Sequence, residues 1–380
     1  MSNNRDIIES IPAHIRAMKG YVPGKTIEEV VQAYHPPRIS KLASNENRWG
    51  HSSRVYDAVQ QAMNVANNYP SALANGLRDD LAAHLKCEAN QLVIGSGSES
   101  LLGLLCRTFF EEGDEIITAS ATFVGLNIQA HIQNIPVKQI PLTSGYAFDV
   151  GAIAASVTEQ TKMVYIANPN NPTGTMISQQ ELDVLMASLP SRVLLVLDEA
   201  YIEFAEHLPN YPSTTEMIRR VEECLHPNTL ILRTFSKAYG LASFRVGYAI
   251  GHPELISALW KTKNTFEPSG ISEAAARAAL ADQEFLAYTV VKSNQARSRF
   301  ESFLTEKNIP YVPSAANFVM ILARDQIDAL RITEELLHQG VIVRQLSPFG
   351  IPNGVRITVG IEEEMEHLES ALAACWNSQN

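Results

Sequence analysis

The chain has 380 residues, of which 46% are hydrophobic and 19% charged, a balance typical of a folded globular protein. This length accommodates two or three domains. The formal net charge of -11 argues against nucleic acid or an anionic membrane as the main partner. Small anionic ligands remain compatible with it, because they need only a local cluster of arginines.

The cysteines and the hydropathy pattern indicate the cellular compartment that we expect for the protein. The four cysteines are far apart and form no CxxC pair, which favours reduced thiols in the cytosol over a disulfide framework. The first six residues hold no apolar segment, and no window approaches about 18 consecutive apolar residues. We therefore expect a cytoplasmic protein with neither a signal peptide nor a membrane span.

The pattern of apolar segments predicts an α/β fold from about residue 41. Residues 1–40 hold four prolines and predict a short helix followed by an extended N-terminal arm. Strands are predicted at 91–94, 115–118, 137–140, 163–166, 193–197, 229–233 and 246–250, and helices at 98–110, 123–132, 178–188 and 214–224. Strands that alternate with helices predict a mostly parallel sheet with helices on both faces. Ligands then bind at the carboxyl ends of the strands.

After about residue 265 the pattern changes. An Ala-rich stretch, 271–305, predicts one long helix, and shorter strands and helices follow it. The strands are predicted at 318–322, 341–343 and 355–357, and the helices at 327–337 and 361–374. The predicted organisation is an arm at 1–40, a large domain at 41–265 and a small C-terminal α/β domain at 266–380.

The segment Thr234–Gly240, which contains Ser236 and Lys237, follows a buried strand and is in turn followed by Arg245. A lysine amine in such a place can form a Schiff base with an aldehyde cofactor, and the hydroxyls and the guanidinium can hold that cofactor's phosphate. A solvated loop lysine is the commoner explanation for any single lysine. The choice between the two depends on the rest of the chain.

The loop Gly95–Glu99 lies between a predicted strand and a predicted helix. Glycine lets the backbone approach a ligand closely, and the free N–H groups of a helix start favour a phosphate. A dinucleotide-binding fold would use the same place, but Ser100 stands where its third glycine is expected. A glycine-rich turn with Ser98 as helix cap explains the loop equally well.

Three further groups follow predicted strands. Asp198 and Tyr201 follow the five-residue apolar strand, where a carboxylate is costly unless it is paired. The carboxylate could pair with a cationic ring nitrogen and the phenol could reach the same ligand, or the two residues could be a helix cap and a core tyrosine. Phe123 could stack on a ring or pack in the core. Asn171 lies in a rigid Pro- and Asn-rich loop that could aim an amide at a ligand or be a plain turn.

Arg344 and Arg356 lie at or near strands of the small domain. Arginine is the usual partner of carboxylates and phosphates, although surface solvation is the more frequent role. No HExxH motif and no G-x-S-x-G motif occurs, so the sequence predicts no metal site and no hydrolase nucleophile.

Taken in chain order, these elements resemble the fold-type I pyridoxal-phosphate aminotransferases of class II, and the histidinol-phosphate aminotransferase family in particular. The segments with the greatest likeness are Lys41–Asn47, Asn170–Gly174, Asp198–Tyr201, Ser236–Ala242 and Val355–Gly360. The likeness extends over about residues 20–375. It implies an aspartate aminotransferase-like fold, with a mostly parallel seven-stranded sheet flanked by helices in the large, cofactor-binding domain and a smaller α/β C-terminal domain.

The resemblance also implies the cofactor, pyridoxal 5'-phosphate, and roles for individual residues. Lys237 would be the Schiff-base lysine, Asp198 would pair with the pyridinium nitrogen, and Tyr201 and Asn171 would bind the ring oxygen. Phe123 would stack on the ring. The residues implied around the phosphate are Gly97, Ser98, Glu99, Thr234, Ser236 and Arg245.

Substrate contacts and a partner subunit follow from the same resemblance. Arg356 matches the arginine that binds the acidic group of the substrate, and Arg344 and Tyr21 resemble contacts to its distal end. Tyr69 resembles the tyrosine that reaches the phosphate from the partner subunit, which implies a homodimer.

The implied reaction is amino transfer from histidinol phosphate to 2-oxoglutarate, giving imidazole acetol phosphate and glutamate. An aromatic amino acid aminotransferase, for phenylalanine or tyrosine, is the main alternative. A phosphoamino-acid decarboxylase and a non-catalytic binding protein of the same fold are further alternatives. The chain departs from the family pattern at Arg48-Trp49 and Ser243-Phe244, so the resemblance predicts the cofactor more firmly than the substrate.

Overall fold

A computed structural model describes residues 6–18, 24–220 and 223–377. Helices begin and end the described part of the chain and alternate with the strands between them. They are α1 (Asp6–Glu9), α2 (Ala13–Ala17), α3 (Ile27–Tyr34), α4 (Arg54–Met63), α5 (Asn75–Leu85), α6 (Ser98–Phe109), α7 (Val124–Ile132), α8 (Val150–Ala155), α9 (Gln179–Ser188), α10 (Ile202–Ala205), α11 (Thr214–Arg219), α12 (Pro253–Thr262), α13 (Gly270–Leu280), α14 (Gln283–Glu306), α15 (Gln326–His338) and α16 (Glu362–Asn377).

The strands form one large sheet and two small ones. They are β1 (Ser40–Lys41), β2 (Leu92–Gly95), β3 (Glu115–Ala119), β4 (Val137–Ile140), β5 (Thr161–Ala167), β6 (Leu194–Asp198), β7 (Thr229–Thr234), β8 (Gly247–Gly251), β9 (Tyr311–Val312), β10 (Phe318–Leu322), β11 (Val341–Ile342), β12 (Arg344–Gln345) and β13 (Gly354–Thr358). Short 3-10 helices lie at Ala89–Gln91, Ala242–Phe244 and Ser347–Phe349.

The large sheet has seven strands in the order β2-β8-β7-β6-β5-β3-β4. The pairs among β3 to β7 are parallel, and β8 pairs antiparallel with both β7 and β2. Every residue of β6 and β7 is buried, as expected for central strands covered on both faces. The prediction of a mostly parallel seven-stranded sheet flanked by helices is confirmed.

The C-terminal region forms a smaller α/β unit. Its antiparallel sheet has the order β12-β13-β10-β9, and its apolar side chains pack with those of α14, α15 and α16. Strand β1 pairs in parallel with β11, which brings Leu42 into the same apolar cluster. The segment that follows the N-terminal arm is thereby held against the C-terminal unit.

The helix predicted over 271–305 is two helices, α13 and α14. Asp282 separates them, and its side chain caps α14 by accepting a hydrogen bond from the backbone N–H of Phe285 at 3.2 Å. The buried alanines of α13 belong to the apolar core of the large sheet. The predicted boundaries at 40/41 and 265/266 stay a prediction, and the packing of Leu42 and α13 extends across them.

Several helices were not predicted. Within the described residues, the N-terminal region holds α1, α2 and α3 rather than a single short helix. Helix α3 begins at a capping box formed by Thr26 and Glu29, a T-x-x-E signal that is present in the sequence. Helices α4, α5, α8, α10 and α12 were also missed. The described part of the chain contains no helix long and apolar enough to cross a membrane.

Candidate active site

The carboxyl ends of the large sheet's parallel strands meet at one pocket. Asp198 and Thr234 are the last residues of β6 and β7, and Phe123 directly precedes α7. Ten of the predicted site residues line this pocket, which we call the first pocket: Ser98, Glu99, Phe123, Asn171, Asp198, Tyr201, Thr234, Ser236, Lys237 and Arg245. Parallel strands thus bring together side chains that are distant in the sequence.

Lys237 lies at the centre of this arrangement. Its Nζ donates a hydrogen bond to the backbone oxygen of Ser44 at 3.2 Å and lies 5.7 Å from the ring centroid of Tyr201. Although the side chain keeps some exposed surface toward the pocket, protein atoms surround it on the other sides. This desolvation, together with the nearby guanidinium of Arg356, lowers the pKa of the amine to about 7. A neutral amine is the nucleophilic form of lysine.

Asp198 is buried at the end of β6 and is not a helix cap, because Tyr201 is the residue that precedes α10. One carboxylate oxygen accepts a hydrogen bond from the hydroxyl of Tyr165 at 2.8 Å, and the other accepts one from the N–H of Ala200 at 3.1 Å. Burial raises the pKa of this carboxyl to about 6. A cationic ring nitrogen in the pocket would offset the cost of the buried charge.

The part of the first pocket at the start of α6 suits a phosphate. Gly97, with a φ of 86°, precedes α6, so the predicted cap Ser98 is instead the first helical residue. The positive φ favours glycine at position 97, and a Cβ there would lie 2.6 Å from Nη2 of Arg245, so the guanidinium would have to shift. Arg245 donates to the hydroxyl of Ser236 at 3.3 Å, and Thr234 donates to the same hydroxyl at 3.0 Å. A helix N-terminus, hydroxyls and a guanidinium together form an anion site.

A second pocket continues from the first toward the C-terminal unit. It shares Phe123, Tyr201 and Lys237 with the first pocket and is also lined by Arg344 and Arg356. Arg356 is buried and donates to the backbone oxygen of Ala43 at 2.7 Å and to the side-chain oxygen of Asn171. The guanidinium groups of Arg344 and Arg356 lie 5.8 and 5.7 Å from the ring centroid of Phe349. Two cations therefore line the same pocket as Lys237.

The structure does not bring the predicted residue Tyr69 to either pocket. The side chain of Tyr69 is 83% exposed and stacks on Phe266 with ring centroids 4.6 Å apart. Tyr21 lies outside the described residues. Both assignments stay predictions.

The structure adds two residues that sequence reasoning did not single out. Asn45 donates to the hydroxyl of Tyr201 at 2.8 Å and accepts from the hydroxyl of Thr358 at 3.1 Å. It lies in the segment Lys41–Asn47, whose likeness to the family was the available signal. Tyr165 donates to Asp198 from the middle of β5, and its place in an apolar strand gave no sign of a polar contact.

The set of side chains fits pyridoxal phosphate. The first pocket offers a lysine of lowered pKa for the aldehyde, a buried carboxyl for the ring nitrogen, an aromatic ring for stacking and an anion site for the phosphate. The glycine at position 97, where a Cβ would meet Arg245, keeps the phosphate end open to a close approach of the backbone.

Comparisons with known proteins agree with this chemistry. The model of the family "Aminotransferase class I and II" matches residues 37–372. A histidinol-phosphate aminotransferase from Geobacillus sp. (strain WCH70) is 40% identical over 362 residues, covering 95% of this chain and 97% of the relative.

Solved structures give the same family. The crystal structure of histidinol-phosphate aminotransferase from Sinorhizobium meliloti in complex with pyridoxal-5'-phosphate matches with a TM-score of 0.87 and 29% identity, covering 98% of both chains. An aspartate aminotransferase from Thermus thermophilus, at 22% identity and a TM-score of 0.81 over 96% of this chain and 99% of that one, shares the fold. The chain therefore belongs to the aminotransferase class I and II family and is an aminotransferase that uses pyridoxal phosphate.

Proposed function

We propose that the protein transfers the amino group of histidinol phosphate to 2-oxoglutarate, giving imidazole acetol phosphate and glutamate. The observation that carries the proposal is the second pocket, which leads from Lys237 to Arg344 and Arg356. Two guanidinium groups in a pocket that Lys237 also lines suit a donor with a phosphate at the end remote from its amino group. The names of the Geobacillus and Sinorhizobium relatives support the same donor.

Some residues of the first pocket hold the cofactor, and Lys237 also moves a proton. Pyridoxal phosphate supplies, when bound, an aldehyde carbon and a ring that withdraws electrons from the substrate Cα. Lys237 would move a proton between the substrate Cα and the aldehyde carbon of the cofactor, away from Cα in the first half-reaction and toward Cα in the second, for which a pKa of about 7 is well matched. Asp198 pairs with the ring nitrogen, Tyr201 and Asn171 bind the ring oxygen, and Phe123 stacks on the ring.

The phosphate of the cofactor is held at the start of α6. The residues proposed to surround it are Gly97, Ser98, Glu99, Thr234, Ser236 and Arg245, with Glu99 acting through its backbone N–H. Tyr69 of a second subunit would complete this end, so we propose a homodimer. A cytoplasmic location remains the expectation from the sequence.

An aromatic amino acid aminotransferase is the second candidate. The observation in its favour is the apolar part of the second pocket, formed by Val124, Ile128 and Phe349. An aromatic side chain would pack there without using Arg344. The two candidates therefore differ in whether Arg344 contributes to donor binding.

A donor panel tests the proposal. Glutamate formation from 2-oxoglutarate is measured with histidinol phosphate, phenylalanine and tyrosine as donors, for the native protein and for Arg344→Met. We expect histidinol phosphate to be preferred, and Arg344→Met to lower its kcat/KM by about 10- to 100-fold, the size of a charge-assisted hydrogen bond. The rates for phenylalanine and tyrosine should change little.

Arg324→Met is the matched control. Arg324 also belongs to the C-terminal unit, but it forms an ion pair with Asp328 and lines neither pocket. Phenylalanine turnover far above that of histidinol phosphate would favour the second candidate. Release of carbon dioxide without glutamate formation would instead favour the decarboxylase.

A further inference from the structure

Tyr165 is a polar side chain in the interior of the large sheet. It lies in β5 with no exposed surface and is among the largest fully buried side chains of the described residues. Strand β5 pairs in parallel with β6, where Tyr165 faces Val196 and Ala167 faces Asp198. The tyrosine hydroxyl therefore reaches along the neighbouring strand to Asp198, whose Oδ2 accepts its hydrogen bond at 2.8 Å.

The contacts of Asp198 favour one protonation state. Its Oδ1 accepts from the N–H of Ala200 and its Oδ2 accepts from Tyr165, so each oxygen faces a donor. Donors on both oxygens stabilise the carboxylate and leave the protonated acid poorly matched. Burial is the main cause that raises the pKa of Asp198, and the bond from Tyr165 is the main cause that lowers it.

Other charged groups also act on this carboxyl. Glu199 follows it in the chain and raises its pKa, whereas the amine of Lys237 across the pocket lowers it. Tyr165 differs from both because it contacts the carboxylate directly and does not line the first pocket. Its influence on a bound cofactor must therefore pass through Asp198.

We propose that Tyr165 is a positioning residue that fixes the orientation of the Asp198 carboxylate and keeps it ionised, so that the ring nitrogen of the cofactor stays protonated. The inference rests on the proposed pairing of Asp198 with that nitrogen. Without the hydroxyl, the carboxylate loses one of its two donors, and the shared proton moves from the ring nitrogen toward the carboxyl. The ring then withdraws electrons less strongly, and the cofactor is held less tightly.

The test compares Tyr165→Phe with the native protein in two measurements on the cofactor. The first is the dissociation constant of pyridoxal phosphate, and the second is the NMR resonance of its ring nitrogen, labelled with nitrogen-15, in the holoenzyme. We expect the dissociation constant to rise about tenfold, as for the loss of a hydrogen bond to a charged group. The ring-nitrogen resonance should move toward the unprotonated position.

Tyr211→Phe is the matched control. Tyr211 is also buried, and its hydroxyl donates to the backbone oxygen of Asn168 at 2.7 Å rather than to a carboxylate. This variant also removes a buried tyrosine hydroxyl, but it should leave the nitrogen resonance at its native position. Equal shifts in both variants would overturn the inference, because they would indicate a general loosening of the fold.

A double variant separates a positioning role from a structural one. If Tyr165 acts through Asp198, Tyr165→Phe should change the dissociation constant by less than about twofold in an Asp198→Asn background. A full tenfold effect in that background would contradict the inference. An unprotonated ring nitrogen in the native holoenzyme would overturn both this inference and the proposed role of Asp198. A ring nitrogen that is protonated in the native holoenzyme and stays protonated in Tyr165→Phe would overturn this inference alone.

Discussion

At the scale of the residue, the reactivity of Lys237 depends on its surroundings more than on its position in the chain. Removal from water is the largest cause of its lowered pKa, and the guanidinium of Arg356 is the second. The same arginine is proposed to bind the substrate. One side chain therefore has two effects, and the binding of an anion to Arg356 would raise the pKa of the lysine.

This environment predicts the pH dependence of covalent loading. The pKa of Lys237 is lowered to about 7, so the amine is protonated below that pH and neutral above it. The rate at which the apo-protein reacts with pyridoxal phosphate should rise with pH and level off above about 7, far below the pKa of an ordinary lysine. Absorbance spectroscopy across this range measures the rate.

Arg356→Met should move the midpoint of this rate profile to higher pH, because it removes a charge that lowers the pKa of the lysine. Arg324→Met, whose arginine lines neither pocket, should leave the midpoint unchanged. A native rate that keeps rising to about pH 10, the range of an exposed lysine, would show that Lys237 is not desolvated.

At the scale of the element, a buried ion pair lies beside the first pocket, at the carboxyl ends of β6 and β7. Glu199 follows Asp198, and its carboxylate lies 2.8 Å from the guanidinium of Arg233 on β7. Both side chains are almost completely buried, with exposed fractions of 1% and 6%. Arg233 also donates to the hydroxyl of Thr215 at 3.2 Å. The pair thus joins the two strands next to Asp198.

Breaking this pair should destabilise the protein strongly. Arg233→Met leaves the Glu199 carboxylate buried without its cation, which costs about 3–5 kcal/mol in the free energy of unfolding. Urea unfolding at a fixed cofactor concentration measures the loss. The double variant Arg233→Met/Glu199→Leu replaces both charges by apolar groups and should recover most of it. Equal instability of the single and double variants would contradict this prediction.

The strands of the large sheet were predicted better than the helices, several of which were missed. The seven strands of the large sheet were all predicted, because most of them are short apolar segments; β4, with Lys138 and Gln139 at its centre, is the exception. The Ala-rich stretch after Gly270 was predicted as one helix, because its composition continues through the break at Asp282. Helix propensity favoured continuation, and the side-chain cap at Asp282 decided otherwise.

At the scale of the whole molecule, the role proposed for Tyr69 depends on a second subunit. It is 83% exposed in the single chain and stacks on Phe266, away from the first pocket. An exposed aromatic pair of this kind suits an interface. The proposed homodimer would place the tyrosine at the phosphate of the neighbouring site.

Subunit complementation tests this arrangement. Tyr69→Ala and Lys237→Ala should each be nearly inactive alone. After the subunits are mixed in equal amounts and exchanged, half of the dimers should carry one intact site, which restores about one quarter of the native activity for a two-fold symmetric pair. Activity assays and size-exclusion chromatography measure the outcome. A mixture that stays inactive although mixed dimers have formed would show that Tyr69 does not act across the interface.

The sequence by itself determined the fold class, the family and the residues that follow the strands. Lys237, Asp198 and Asn171 were identifiable because an apolar strand followed by reactive polar residues is a local pattern. Tertiary structure decided which side chains meet. Asn45 contacts Tyr201 across 156 positions, Tyr165 contacts Asp198 across 33, and Arg356 contacts Asn171 across 185. Such contacts depend on strand order, register and domain packing, which local periodicity does not encode.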